Sequence, residues 1–223
     1  MKIWLLLFSF FVYFGSFSQN VTDSLSNYLE DQLYFSIQNN NLLNTPSDFK
    51  TYGFSNGVSV GFIKDIPLNE QRNVGFGIGL GFANNTFKNN VKLTENGGLI
   101  DVSVLSDGFE INKISTKAFE VPIEFRWRTS TPDKFKFWRI YPGIKVSYLY
   151  KTEYTYLDST INYKIKNPEI INKWQYGLIL GAGYSSFNLY MYAGLNQLFK
   201  DVTINSNKSS IKELKIGLIF YIL

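Results

Sequence analysis

The sequence contains no cysteine and no histidine. The first absence excludes a disulfide framework, a thiolate metal site, a cysteine nucleophile and a lipid-modified cysteine anchor. The second removes both the commonest general base and the commonest zinc ligand. Charge is scarce as well, at 18% of 223 residues against roughly 25% in an ordinary soluble domain. The formal net charge is only +4, too small an excess to read as a nucleic-acid-binding surface. Mean hydropathy is −0.08, so the chain is not a bundle of membrane helices. Aromatic residues are abundant at 17%.

One long apolar run exists, at the start. In "MKIWLLLFSFFVYFGSFSQN", Lys2 precedes the apolar stretch 3–14, and Ser16 and Ser18 sit before Gln19. This order of positive, apolar and small residues is that of a secretory signal peptide. Residues 1–18 are therefore expected to be a leader, with an uncleaved anchor as the alternative. Residues 19–30 are expected to form a short N-terminal segment, and 31–223 the folded domain.

Beyond the leader the prevailing period is two. Val74, Phe76, Ile78, Leu80 and Phe82 alternate with Gly75, Gly77, Gly79, Gly81 and Ala83. Trp174, Tyr176, Leu178 and Leu180 alternate with Gln175, Gly177, Ile179 and Gly181. Such alternation marks strands. Eight are expected, near 31–39, 54–66, 73–88, 113–128, 138–155, 173–186, 188–201 and 211–223. Long polar connections (40–53, 89–112, 156–172, 202–210) alternate with short ones (67–73, 129–137, 186–188). In the segment 94–110, the pair Asn96-Gly97 predicts a hairpin extending the longest connection.

The faces opposite the apolar residues decide the architecture. They carry glycine where a water-exposed sheet would carry Lys, Glu and Thr, and glycine weakens a strand unless something needs the space. The interior of a narrow barrel needs it, because side chains from opposite walls meet there. An all-β fold is expected: an antiparallel eight-stranded transmembrane β-barrel, apolar outside and small or polar inside. On the strand 113–128, Phe119, Val121, Ile123, Phe125 and Trp127 then face lipid. Glu120, Glu124, Arg126 and Arg128 face the lumen, and the next strand adds Arg139 and Lys145. A lumen this narrow is filled by side chains, so these charges are expected to pair as an internal plug. An ion or proton path through them is the sharper alternative. Replacing Glu124 is expected to strand Arg126, Arg139 or Lys145. Trp127 and Trp138 at one boundary, and Trp174 and Tyr176 at the other, are candidate interfacial aromatics.

Catalysis finds no footing. Histidine-dependent hydrolysis fails for want of histidine. Glu120 and Glu124 are four residues apart on one strand face, about 13 Å by strand rise, and their lumen has no room for a sugar. No EF-hand spacing occurs. No enzyme activity, metal or cofactor is expected, nor any small-molecule substrate.

The segments "KAFEVPIEFRWRTS", "FWRIYPGIKVSYLY" and "WQYGLILGAGYSSF" resemble the PorT-like outer-membrane β-barrel proteins of the Bacteroidetes. The resemblance lies in Glu120, Val121, Pro122, Arg126 and Trp127, then Pro142 and Gly143, within a likeness over about 30–223. It implies an integral outer-membrane barrel with lipid and other envelope proteins as partners, and type IX secretion as a candidate role. The C-terminal "KIGLIFYIL" resembles a barrel-assembly signal, departing from it in Leu223. The other functional expectation is a surface-binding barrel or narrow conduit acting through the exterior connections 40–53, 89–112 and 156–172.

Overall fold

The computed structural model describes residues 32–129, 138–185, 187–200, 202–204 and 207–222. The leader 1–18, the segment 19–30 and most of the turn 129–137 lie outside these residues. The elements in chain order are β1 (Gln32–Leu43), β2 (Asn56–Pro67), β3 (Val74–Lys88), β4 (Val91–Asn96), β5 (Leu99–Val104), β6 (Ile111–Arg128), β7 (Trp138–Leu157), β8 (Asn162–Lys166), β9 (Trp174–Tyr184), β10 (Phe187–Gly194), β11 (Thr203–Ile204), β12 (Asn207–Lys208) and β13 (Lys212–Ile222).

Each of β1, β2, β3, β6, β7, β9, β10 and β13 pairs antiparallel with the next, and β13 returns to β1. These eight strands close into a barrel, and β8 adds to β7 at the long-loop end. The expected strand ends needed correction chiefly in two places. β1 runs on to Leu43 because Asn40 and Asn41 still pair with Lys215 and Leu214. β10 stops at Gly194, seven residues early, and the chain then turns into the connection that carries β11 and β12.

Pairing is interrupted where proline removes a donor. The β3–β6 ladder skips the step at Val121 and Pro122, and the β6–β7 ladder skips the step at Tyr141 and Pro142.

The outer face carries the apolar residues. On β6 the alternate residues from Phe119 to Trp127 are exposed while their neighbours are buried. This band runs about 27 Å along the strand. A tilt of about 40° shortens it to roughly 20 Å, near the 25 Å band of a membrane barrel. Among the described residues no helix is long and apolar enough to cross a membrane; strands cross it.

At one end the strands are joined by short turns. At the other, the long connections build a second core. Phe87, Val91, Leu93, Ile114, Tyr154, Tyr156, Leu198, Phe199 and Ile211 are all buried there. Asn90 ties three segments together: its amide donates to the carbonyls of Asp48 (2.8 Å) and Leu105 (2.7 Å), and its oxygen accepts from the Lys50 N–H (2.8 Å). The β4–β5 hairpin turns at Gly97-Gly98, not at Asn96-Gly97, because Asn96 pairs with Leu99. Both glycines have positive φ, the geometry of a two-residue hairpin turn.

Glycine also makes room inside. A Cβ on Gly61 would lie 2.5 Å from the Leu80 carbonyl oxygen and from the Tyr34 ring. Gly61→Val is expected to destabilise the barrel by about 1–3 kcal/mol through overpacking, measured by urea unfolding from lipid vesicles. An unchanged midpoint contradicts the close packing.

At the rim of the second core Asp158 accepts bonds from the N–H groups of Thr160 (2.8 Å) and Ile161 (2.7 Å). The hydroxyls of Tyr156 and Thr160 donate to it as well. These bonds, the two backbone ones foremost, hold its carboxyl at about 2, against an ordinary 3.8. A lowered folded-state value gives a turn held at full strength above the ordinary pKa and lost as pH falls through 2. Amide exchange at Thr160 and Ile161 should therefore stay slow near pH 4; fast exchange there contradicts the assignment.

Candidate functional site

The lumen is the polar centre of the molecule. Alternation on β2, β6, β7 and β13 turns Asp65, Glu120, Glu124, Arg126, Arg128, Arg139, Lys145, Glu213 and Lys215 inward, all at 5% exposure or less. Acids and bases nearly balance, as burial of charge requires.

Toward the short-turn end, Asp65 is the hub. One oxygen accepts from Arg126 Nη1 at 3.0 Å and the other from Arg128 Nη2 at 2.6 Å. Arg126 Nε reaches Glu124 at 3.1 Å, and the Tyr221 hydroxyl donates to the other Glu124 oxygen at 3.2 Å. Arg128 Nε donates to the Arg72 carbonyl at 2.7 Å, tying the cluster to the β2–β3 turn. The Arg126 guanidinium lies 4.9 Å from the Tyr141 ring centre, and Arg139 lies 5.5 Å from that of Tyr221. These are cation–π distances. Gly77, on β3 opposite Glu124, leaves the space, since a Cβ there would stand 2.5 Å from Arg126 Nε.

Midway along the barrel, Lys145 Nζ meets Glu120 at 2.8 Å and lies 4.9 Å from the Tyr192 ring centre. Nearer the long-loop end, Lys215 meets Glu213 at 3.0 Å and lies 5.0 Å from the centre of the same ring. The cavity between Tyr34, Ser36, Ser59, Glu120 and Lys145 is about 10 Å³, the size of one water. Among the described residues no group of three His, Cys, Asp or Glu side chains comes together as a metal site.

The structure thus brings Glu124, Arg126 and Arg128 into one network, and Glu120 and Lys145 into a separate pair. Arg139 joins the first cluster through the aromatic rings. Loss of Glu124 removes one of the two carboxylates of Arg126, which keeps Asp65. Sequence reasoning missed Asp65, Glu213 and Lys215 as members. Their inward parity was the available signal, but Lys64 beside Asp65 puts a charge on each face and hides the pattern.

The aromatic residues take the outer wall. Trp127 and Trp138 lie outward at the short-turn end, with Trp138 packed on Tyr184 at 5.3 Å. Trp174 and Tyr176 lie outward at the long-loop end, with Trp174 on Tyr148 at 4.9 Å.

Asp65→Ala leaves Arg128 without its closest carboxylate and is expected to destabilise the barrel by about 3–5 kcal/mol. Breaking the exposed Lys164–Glu153 pair with Lys164→Ala is expected to cost no more than about 1 kcal/mol. Urea unfolding from vesicles compares the two. Equal, small effects contradict a buried network.

The outer membrane protein beta-barrel domain family matches residues 17–200. Similar solved structures include Ail, the attachment invasion locus protein of Yersinia pestis, at 12% identity, covering 86% of this chain and 96% of that one, with a TM-score of 0.35. The same protein in complex with the heparin analogue sucrose octasulfate is similar at 10% identity, with the same coverage and a TM-score of 0.38. No curated protein matches the chain. With a closed eight-stranded barrel, an apolar outer belt and this match over most of its length, the chain belongs to the outer membrane protein β-barrel domain family and is an integral protein of the outer membrane.

Proposed function

We propose that this barrel is a non-enzymatic, accessory component of the cell envelope that works through its rim and exterior connections rather than through its lumen. The observation that carries the reading is the Asp65–Arg126–Arg128–Glu124 network, which with Tyr141 and Tyr221 occupies the lumen toward the short-turn end. Buried ion pairs at 2.6–3.1 Å are a wall, not a path.

The resemblance of the Glu120-Val121-Pro122 and Pro142-Gly143 strands to PorT-like barrels of the Bacteroidetes supports a finer reading, a role beside the type IX secretion machinery. Deleting the gene and assaying the culture supernatant for cargo of that route tests it. The expected result is cargo held in the periplasm, with export restored by a plasmid copy. Normal export overturns the secretion role and leaves an envelope barrel with another partner.

A second reading, a surface-binding barrel, is favoured by an exterior pocket of about 280 Å³ between the first two long connections. Tyr52 and Phe109 meet edge to face at 4.9 Å on its wall, beside Lys88, Lys113 and Asn112.

A further inference from the structure

Above the apolar belt, one wall of the barrel changes character abruptly. Register stacks its outward residues in rows. Phe82, Phe119 and Tyr148 form the last apolar row, with the Tyr150 ring 4.8 Å from that of Phe119. The next row toward the long-loop end is Asn84, Lys117 and Lys151. Beyond it come Thr86, Ser115, Glu153 and Lys166, then Lys88, Lys113 and Lys164, with the buried Thr155 between the last two.

Two of these pairings set lysine directly against lysine, Lys117 opposite Lys151 and Lys88 opposite Lys113. Like charges so placed destabilise a sheet. The acid in these rows, Glu153, is held by Lys164 at 3.1 Å. That hydrogen bond, with the charges of Lys164, Lys151 and Lys166, keeps its carboxyl below the usual range. The opposite wall differs. Beyond Ile37 its rows pair Asn39 with Ile216 and Asn41 with Leu214, and the first charge is Lys212 beside Leu43.

We propose that the wall of Lys88, Lys113, Lys117 and Lys151, flanked by Lys164 and Lys166, binds the phosphate groups of lipids whose headgroups carry net negative charge, in the leaflet on the long-loop side. Depth and charge together point to this occupant. Lys117 and Lys151 stand one row, about 7 Å along the strand, beyond rings that contact lipid. Their stems can lie along the belt while the ammonium groups reach the headgroup layer. A phosphate between two facing lysines converts their repulsion into attraction. A soluble polyanion would have to enter the headgroup layer to reach the lower row. The proposal rests on the membrane placement and not on the secretion role, and Lys117 and Lys151 lie outside the exterior pocket.

The test is the lipid retained by the purified full-length barrel, read by native mass spectrometry after reconstitution in equimolar phosphatidylglycerol and phosphatidylcholine. The wild type should release mainly phosphatidylglycerol. Lys117→Gln with Lys151→Gln should weaken that preference, by about fivefold for each lysine removed. Glu153→Gln should strengthen it, and Lys212→Gln on the other wall should leave it unchanged. Heat-modifiable migration verifies that each variant is folded. Equal release of the two lipids by the wild type overturns the proposal, as does full preference in the double variant. Loss of the preference on adding inorganic phosphate also overturns it, because the wall would then be a free-phosphate site.

Discussion

The short-turn half of this barrel's interior is arranged around one carboxylate that serves two arginines. Arg126 and Arg128 are two residues apart on β6, so strand geometry points both into the same lumen. Neither can reach bulk water, and an unpaired ion there costs several kcal/mol. Asp65 on β2 answers both with its two oxygens, across the intervening strand β3. The β3 face between them must then be nearly empty, and it is: Gly75 and Gly77 lie opposite Arg126 and Glu124. The glycine-rich strand and the charge-rich strand are one feature, seen from its two sides.

The same constraint separates the molecule into tiers. Toward the short-turn end arginines are shared between carboxylates and tyrosine rings. Midway a lysine–glutamate pair and the tyrosines at 34, 190 and 192 take over. Past Lys215 and Glu213 the polar filling gives way to the apolar second core, outside the membrane, where apolar burial again contributes about 1.5–3 kcal/mol per large side chain. On the reading proposed above, the plug closes the lumen and leaves the outer wall and the exterior connections as the surfaces that meet other molecules.

Most of the fold was legible because period two survives in every membrane strand. Apolar residues at one parity and glycine or charge at the other specify both barrel and inversion, and alternating loop lengths specify which end is which. The ends of β1 and β10 were not legible; in β1, Asn40 and Asn41 read as a loop while pairing as a strand. The second core escaped for a similar reason: Leu93, Ile165 and Leu198 lie in short, polar-flanked segments whose burial depends on contacts between separate loops. In the lumen, parity showed which charges point inward on β6 and β7. It could not show partners, because Asp65 and Arg128 are 63 residues apart and joined only by pairing through β3.

A closed, ion-paired plug in the lumen would let no ions cross. Conductance of the purified barrel in a planar bilayer tests it most directly. A plug of paired charges and rings gives an electrically silent membrane at every applied potential. Stable single-channel steps, abolished when the protein is unfolded by heat, would mean that ions pass among Asp65, Arg126 and Glu120, and the account would fail.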